Sequence, residues 1–364
     1  MKKLTAVAVA LLAATSAAQA ADVYKNEQMS LDMYGRIYAG QFFGEKKTGS
    51  EDYSAKLGAN QYIRFGVKAD SSITGTMKAV GQYEAQFNIG DSEKINNVSC
   101  STSGNETDGY KTECKDDKIR TRLAFAGVKS ENFGQVTFGR QKGAVAQIAD
   151  WTDVAFSDGY GADALGSGSD NFATSRASDV LKYSGTFGGF KGEATYKFDG
   201  NTTEEKTSTS ADAAYGLSAS YTLANGLGFG AGYNVGNRDK AGENDAKLAI
   251  VGVMFDNKSI YAALNYADGS DFLATGTDHT GIEAALGYNF TNGFGLMALY
   301  NKQETEKAGV DTDTVDYYTL GAQYKFNKSL RVIGEYRMQG LDAQSNTKAE
   351  AVENDYQLAA RYDF

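Results

Sequence analysis

Arginine and aspartate are the residues of this 364-residue chain that could do chemistry in concert. Arg36, Arg64, Arg120 and Arg122 fall in segments of alternating polarity, and the polar stretch 141–177 carries Asp150, Asp153, Asp158, Asp163 and Asp170. That stretch has no Glu, and Lys142 and Arg176 are its basic residues. A guanidinium stays charged at any working pH, so an arginine row facing an acidic segment across water makes a fixed field that steers polar solutes. Covalent and metal chemistry has little raw material. One His and two Cys cannot furnish a zinc site of the usual ligands, and a Ser-His-Asp triad would rest on His279 alone. His279 lies beside Asp278 at a strand end with no identified nucleophile, so no catalytic role is expected. Asp311-Thr312-Asp313-Thr314-Val315-Asp316 lacks the Gly and terminal Glu of a calcium loop. Gly228, Gly230, Gly232 and Gly236 alternate along a strand with Leu227, Phe229, Ala231 and Tyr233, which suits small residues facing one side better than a phosphate loop. No metal or cofactor is expected.

The elements that must position the charges read with a period of two. Ile63, Phe65, Val67 and Ala69 oppose Tyr62, Arg64, Lys68 and Asp70; Ile119, Thr121, Leu123 and Phe125 oppose Lys118, Arg120 and Arg122. Met77, Ala79, Tyr83, Ala85, Phe87 and Ile89 oppose Lys78, Gln82, Glu84, Gln86 and Asn88, and the C-terminus alternates in the same way. These are strands with one apolar and one wet face. Arg36 lies with Asp32 and Tyr34, so all four arginines share the wet parity. Arg120 and Arg122, about 7 Å apart on one strand, repel by about 0.6 kcal/mol in water and several-fold more at an effective dielectric of about 20, a ladder tolerable only beside water.

The connections separate a soluble sandwich from a membrane barrel. Short turns are expected at 70–72, 130–134, 188–189, 224–226, 256–258, 291–293 and 327–329. Long polar connections fall near 44–59, 89–117, 141–177, 200–210, 237–245, 269–277, 304–314 and 341–353. Seven short turns alternating with eight long loops join sixteen strands, each with room for the ~10 residues that a tilted strand needs to cross a bilayer. Phe187 and Phe190, Phe255 and Tyr261, Phe290 and Phe294 flank short turns, with Phe326 and Phe364 at the same end, as an aromatic girdle requires. Residues 1–20 read as a cleaved signal: Lys2 and Lys3, an apolar stretch from Leu4 to Ala14, then Ala18-Gln19-Ala20. Residues 21–364 are expected to form one pore domain. Cys100 and Cys114 enclose a polar stretch, and in an exported protein they are expected to form a loop-closing disulfide contributing about 3 kcal/mol in the entropic account. The net charge of -10 argues against a nucleic-acid partner and suggests a mild cation preference.

The chain resembles the general, non-specific diffusion porins of Gram-negative outer membranes, on Asp32-Met33-Tyr34-Gly35-Arg36, on Arg120 to Lys129 followed by Phe138-Gly139-Arg140, on Ser259 to Tyr266, and on the terminal Tyr362-Asp363-Phe364. The resemblance implies an all-β, 16-stranded antiparallel transmembrane barrel with an inward-folded third loop. It implies a homotrimer whose second long loop latches onto a neighbour, lipopolysaccharide and outer-membrane lipid as surroundings, and passive diffusion of small hydrophilic solutes and ions. Carried over residue by residue, Arg36, Arg64, Arg122 and Arg120 match the basic wall, Arg176 the arginine after the loop, and Asp153 the first acidic position. The family's Pro-Glu-Phe-Gly-Gly run is replaced by Phe156-Ser157-Asp158-Gly159-Tyr160-Gly161, so Asp158 stands near the second acidic position, one residue displaced. Asp150 joins the acidic set. Tyr362 and Phe364 match the C-terminal signal read by the barrel-assembly machinery. Three rivals are weighed: an oligosaccharide-preferring porin, hinted at by Trp151 and Tyr160; an adhesion or receptor barrel acting through its outer loops; and a lipid-modifying barrel enzyme using His279.

Overall fold

A computed structural model describes residues 21–47, 54–56, 59–89, 99–105, 109–115, 119–168, 172–199, 211–238, 244–341 and 354–364. The signal segment 1–20 and Asp170 lie outside the described residues. Among the described residues sixteen strands close into a ring: β1 (Met29–Phe43), β2 (Ala59–Thr74), β3 (Met77–Asn88), β4 (Ile119–Ser130), β5 (Gly134–Lys142), β6 (Arg176–Phe187), β7 (Phe190–Lys197) and β8 (Ala211–Thr222), then β9 (Leu227–Arg238), β10 (Ala246–Asp256), β11 (Ile260–Ser270), β12 (Thr277–Asn289), β13 (Phe294–Lys307), β14 (Val310–Lys325), β15 (Leu330–Gln339) and β16 (Asp355–Asp363). Every strand pairs antiparallel with its sequence neighbour, and β1 pairs with β16 to complete the circle. A further strand, Ala21–Lys25, continues the β16 edge by pairing with Met33–Ser30 of β1. In the described ring each of the sixteen strands has a partner on both sides, which is what a strand structure needs in hydrocarbon.

The turns follow local chemistry. Gly188 has φ +62°, so the two-residue turn Gly188–Gly189 forms without steric cost. At the ends of β10 and β14 the Asn257 and Asn327 side chains each accept two backbone N–H groups, the Asx device that substitutes for a backbone turn. Two expectations shift. The first turn lies at Gly75–Thr76 rather than 70–72, because Asp70 and Ser71 still pair with Val80 and Ala79. The polar run 304–314 is not a long loop: Glu304 to Lys307 pairs with Asp313 to Val310, and Ala308 and Gly309, at φ +55° and +77°, make a two-residue hairpin. Polarity there marks strands that extend past the membrane into water.

The two faces are inverted relative to a soluble protein. Leu217, Leu286, Val251 and Leu358 are more than half exposed on the outer face, whereas Glu283, Asn301, Thr319, Gln357 and Glu335 are buried on the inner one. Among the described residues no helix is long and apolar enough to span a membrane, and the outward apolar band of the barrel suits that work. Phe187, Phe190, Phe290, Phe294 and Phe326 stand exposed at the short-turn rim as expected. Tyr261 departs from that rim, because its hydroxyl donates to the Trp151 carbonyl at 2.5 Å.

The largest apolar core lies inside the ring. Segment 143–168, which includes the single-turn helix α1 (Ala146–Ala149), packs Val145, Ile148, Trp151 and Leu165 against Leu248, Ile250 and Met297 of the wall. The wall is hollowed to receive it. A Cβ on Gly230 would stand 2.3 Å from Ile148 Cδ1, and one on Gly236 2.0 Å from the Phe172 ring. The alternating glycines of β9 are therefore the seat of this loop.

Candidate functional site

Arg36 and Arg64 are direct cross-strand partners on β1 and β2, with Gln86 on β3 opposite Arg64. Directly opposed like charges repel, so this row needs counter-charge. Arg36 Nε donates to Asp363 Oδ1 at 2.9 Å and its Nη1 to Asp158 Oδ1 at 3.2 Å. Arg64 Nη2 reaches Gln86 Oε1 at 2.9 Å and Asp158 Oδ2 at 3.0 Å, and Glu84 lies 3.9 Å from its Nε. The Tyr62 hydroxyl donates to Asp158, and the Tyr62 ring stacks on Tyr38 with centroids 5.2 Å apart. Asp158 is thus the hub between the loop and the basic wall. Burial inside the barrel raises its carboxyl, but Arg64 and then Arg36 outweigh burial and hold it below the ordinary aspartate range.

A bulge aims the third arginine. Between Glu84 and Ala85 the β3–β4 register shifts: Glu84 pairs with Leu123 and Ala85 with Thr121, leaving Arg122 as the extra residue. Its Nε donates to Glu84 Oε1 at 2.6 Å. The same bulge corrects the alternation expected over 118–128. Leu123 and Phe125 pair with the wet residues Glu84 and Gln82, while Ala124 and Val128 share the outer face with Tyr83 and Ala79. Arg120, opposite Gln86, stays exposed and is not joined to Asp158.

The remaining predicted positions sit nearer the start of the loop. Asp150 pairs with Lys142 at 2.6 Å. Asp153 is exposed to the lumen; its enclosure and then Asp150 raise its carboxyl above the ordinary range, opposed by Lys142 and Arg176. Arg176 opens β6 opposite Lys142. The structure therefore brings Arg36, Arg64, Arg122 and Asp158 into one cluster, with Asp150, Asp153 and Arg176 grouped beside it.

Several partners escaped the sequence reading. Glu335 accepts the Phe156 and Ser157 N–H groups at 2.8 and 3.1 Å, together with the Ser157 hydroxyl. Glu283 accepts the Ala164 and Leu165 N–H groups at 2.8 and 3.2 Å. Asp363 gathers Arg36, Arg331 and Arg361. These carboxylates were visible only as wet-face residues, since nothing local in sequence distinguishes an acid that caps a distant loop from one that faces water. Trp151 and Tyr160 are buried rather than lining a path: Trp151 lies in the loop core, and Tyr160 donates to Asp355 under the Arg337 guanidinium. The buried His279 ring lies 3.3 Å from the Leu165 carbonyl, as a loop contact. Cys100 and Cys114 are opposed in the hairpin Ser99–Asn105 with Gly109–Lys115. Tyr362 and Phe364 close β16, with ring centroids 6.4 Å apart.

The chain matches known proteins in sequence and in fold over most of its length. Residues 6–364 fit the family model for the Gram-negative porins. The chain is 30% identical to the outer membrane porin protein OmpD of Citrobacter koseri, covering 100% of this chain and 99% of that one. It is 29% identical to the outer membrane porin PhoE of Klebsiella oxytoca, over 92% and 91%. In fold it is similar to Salmonella typhi OmpF in its daunomycin complex, at TM-score 0.75 and 21% identity, covering 94% of this chain and 100% of that one. It is also similar to the trimer form of Vibrio cholerae OmpT, at TM-score 0.64 and 20% identity, over 93% and 100%. With a closed sixteen-stranded barrel, an apolar outer band and these relatives, the chain belongs to the Gram-negative porin family and is an outer-membrane β-barrel for passive diffusion of small hydrophilic solutes.

Proposed function

We propose that Arg36, Arg64, Arg122 and Arg176 on the wall, with Arg120 above them, and Asp150, Asp153 and Asp158 on the third loop, form the constriction of this channel. The reach of Asp158 from the loop to Arg36 and Arg64 is the observation that carries the reading. Fixed positive and negative groups around a water-filled neck orient water across the path, so a hydrated polar solute exchanges partners as it passes whereas an apolar one disturbs ordered water. No group needs to change its bonding, and the channel has no reaction to catalyse. The mild cation preference is assigned to the lumen-facing Asp153 and the acidic outer strand ends, because around Asp158 the guanidiniums of Arg36, Arg64, Arg122, Arg331 and Arg361 outnumber the carboxylates of Glu84, Asp158 and Asp363.

The working unit is a homotrimer in lipopolysaccharide and outer-membrane lipid, a reading supported by the trimer form of the Vibrio cholerae neighbour. Residues 1–20 are its export signal, and Tyr362 and Phe364 its signal to the assembly machinery. Direct opposition in an antiparallel ladder brings Cα atoms to about 4.5–5.5 Å, within disulfide range, so Cys100 and Cys114 form a bridge. The burial of Trp151 and Tyr160 takes away the two aromatics that hinted at an oligosaccharide path.

Single-channel recording of the folded protein in a planar bilayer under a salt gradient tests the function. Large ohmic steps closing in groups of three are expected. Folded barrels that conduct nothing would overturn the reading and shift attention to the outer loops.

A further inference from the structure

Asp158 does more than balance charge, because the place it occupies is complete without it. Its carboxylate is held by Arg36 Nη1 on one oxygen and by Arg64 Nη2 and the Tyr62 hydroxyl on the other. None of these three donors depends on Asp158 for its position. Arg36 is pinned from behind by Asp363 at 2.9 Å, Arg64 by Gln86 at 2.9 Å, and Tyr62 by its stack on Tyr38. A planar, two-oxygen acceptor site built by fixed wall groups is a carboxylate seat, the geometry that guanidinium forks select. It opens toward the lumen: the Arg36 and Arg64 side chains are 6% and 12% exposed, while the Asp158 side chain in front of them is 29% exposed.

We infer that this seat is a binding station for small mono- and dicarboxylates on the diffusion path, and that Asp158 is its built-in competitor. The inference rests on the channel reading and deepens it by naming a solute class. A solute carboxylate takes over the Arg64 and Tyr62 contacts as the Asp158 side chain swings aside, then leaves when Asp158 returns. No bond forms or breaks. The internal carboxylate keeps residence short, so the station passes its solute instead of trapping it. The backbone around Asp158 holds the competitor in reach, since Glu335 caps Ser157 on one side and Tyr160 is anchored to Asp355 on the other.

The test is succinate against potassium chloride in single-channel recordings of the trimer. In the wild-type protein, rising succinate should add current noise and lower the chloride current with saturation. Asp158→Asn removes the competitor and should lower the half-blocking succinate concentration by about ten-fold or more, as expected when a tethered ligand at high effective concentration is lost. Asp153→Asn removes the same charge from the same loop without opening the seat, so it should shift that concentration several-fold less than Asp158→Asn does, because only long-range screening connects it to the seat. Arg64→Gln should abolish saturation. An effect of Asp153→Asn equal to that of Asp158→Asn would reduce the seat to general electrostatics and overturn it. Unsaturable succinate current in the wild type overturns it too, with no variant required, while chloride steps persist and leave the channel reading standing. Absence of chloride steps from folded barrels would instead defeat the channel reading, and the seat with it.

Discussion

Arg36 and Arg64 face each other as direct cross-strand partners, and Asp158 sits between their guanidiniums with one oxygen on each. A like-charged pair in that register is destabilising unless a counter-ion joins it. Asp158→Asn keeps the shape and removes that charge. The loop should loosen around 156–160 by about 1–3 kcal/mol, the usual cost of weakening charge-assisted contacts of this kind. The reversal potential under a salt gradient should move toward chloride. No movement, or movement toward potassium, would contradict the assignment of Asp158 to the conducting path.

Glu335 tests how the loop is held. Glu335→Ala leaves the Phe156 and Ser157 N–H groups without their acceptor, each worth about 1–3 kcal/mol when stranded. Hydrogen exchange should accelerate at these two amides. The turn at Ala144 to Gln147, held independently by the Ser218 and Ser220 hydroxyls, should stay protected. Glu335→Gln retains an acceptor oxygen and should recover part of the protection. Equal acceleration across both segments would mean that the loop opens as one unit.

The ring, its strand number and its two faces were legible because a period of two with alternating short and long connections has few other solutions. Arg36 and Arg64 were legible for the same reason, since parity alone keeps them off the lipid face. Three features were not. The bulge at Arg122 changes which residues of β4 face water, and Arg120-Thr121-Arg122-Leu123 carries no local signal for it. Polarity misplaced the 304–314 connection, because strand pairing there continues beyond the apolar band. The acids Glu283, Glu335 and Asp363 owe their roles to partners 118 or more residues away for the first two, and 327 residues away for Arg36 with Asp363. Closure of the ring, not proximity in sequence, creates those contacts.

The chain's single tryptophan offers a direct reading of loop docking. Trp151 is 2% exposed and packs where a Cβ on Gly230 would stand 2.5 Å from its ring. Gly230→Ala therefore overpacks the seat, at about 1–3 kcal/mol by analogy with other filled interiors. Trp151 emission should shift red as the loop lifts. Gly75→Ala, at a turn where an added Cβ meets nothing within 4 Å, should leave the emission unchanged. An unshifted spectrum in Gly230→Ala would mean that the wall yields instead of the loop.

Acid should act on the two loop aspartates in sequence. Asp153 has its carboxyl raised by enclosure and by Asp150, so it takes up a proton first as pH falls. That step removes a lumen-facing negative charge and should lower cation preference, and Asp153→Asn should abolish it. Asp158 is opposite in sign. Its folded carboxyl lies below the unfolded aspartate value of about 3.9, so its stabilisation of the loop is complete above that value and is lost as pH falls through the lower, folded one. Reversal potentials and Trp151 emission recorded together from neutral pH downward should separate the steps: selectivity changes first with the tryptophan still buried, and the emission shifts only at lower pH. Loss of burial before the selectivity change would reverse the assigned order and place the weaker carboxylate at the arginine cluster.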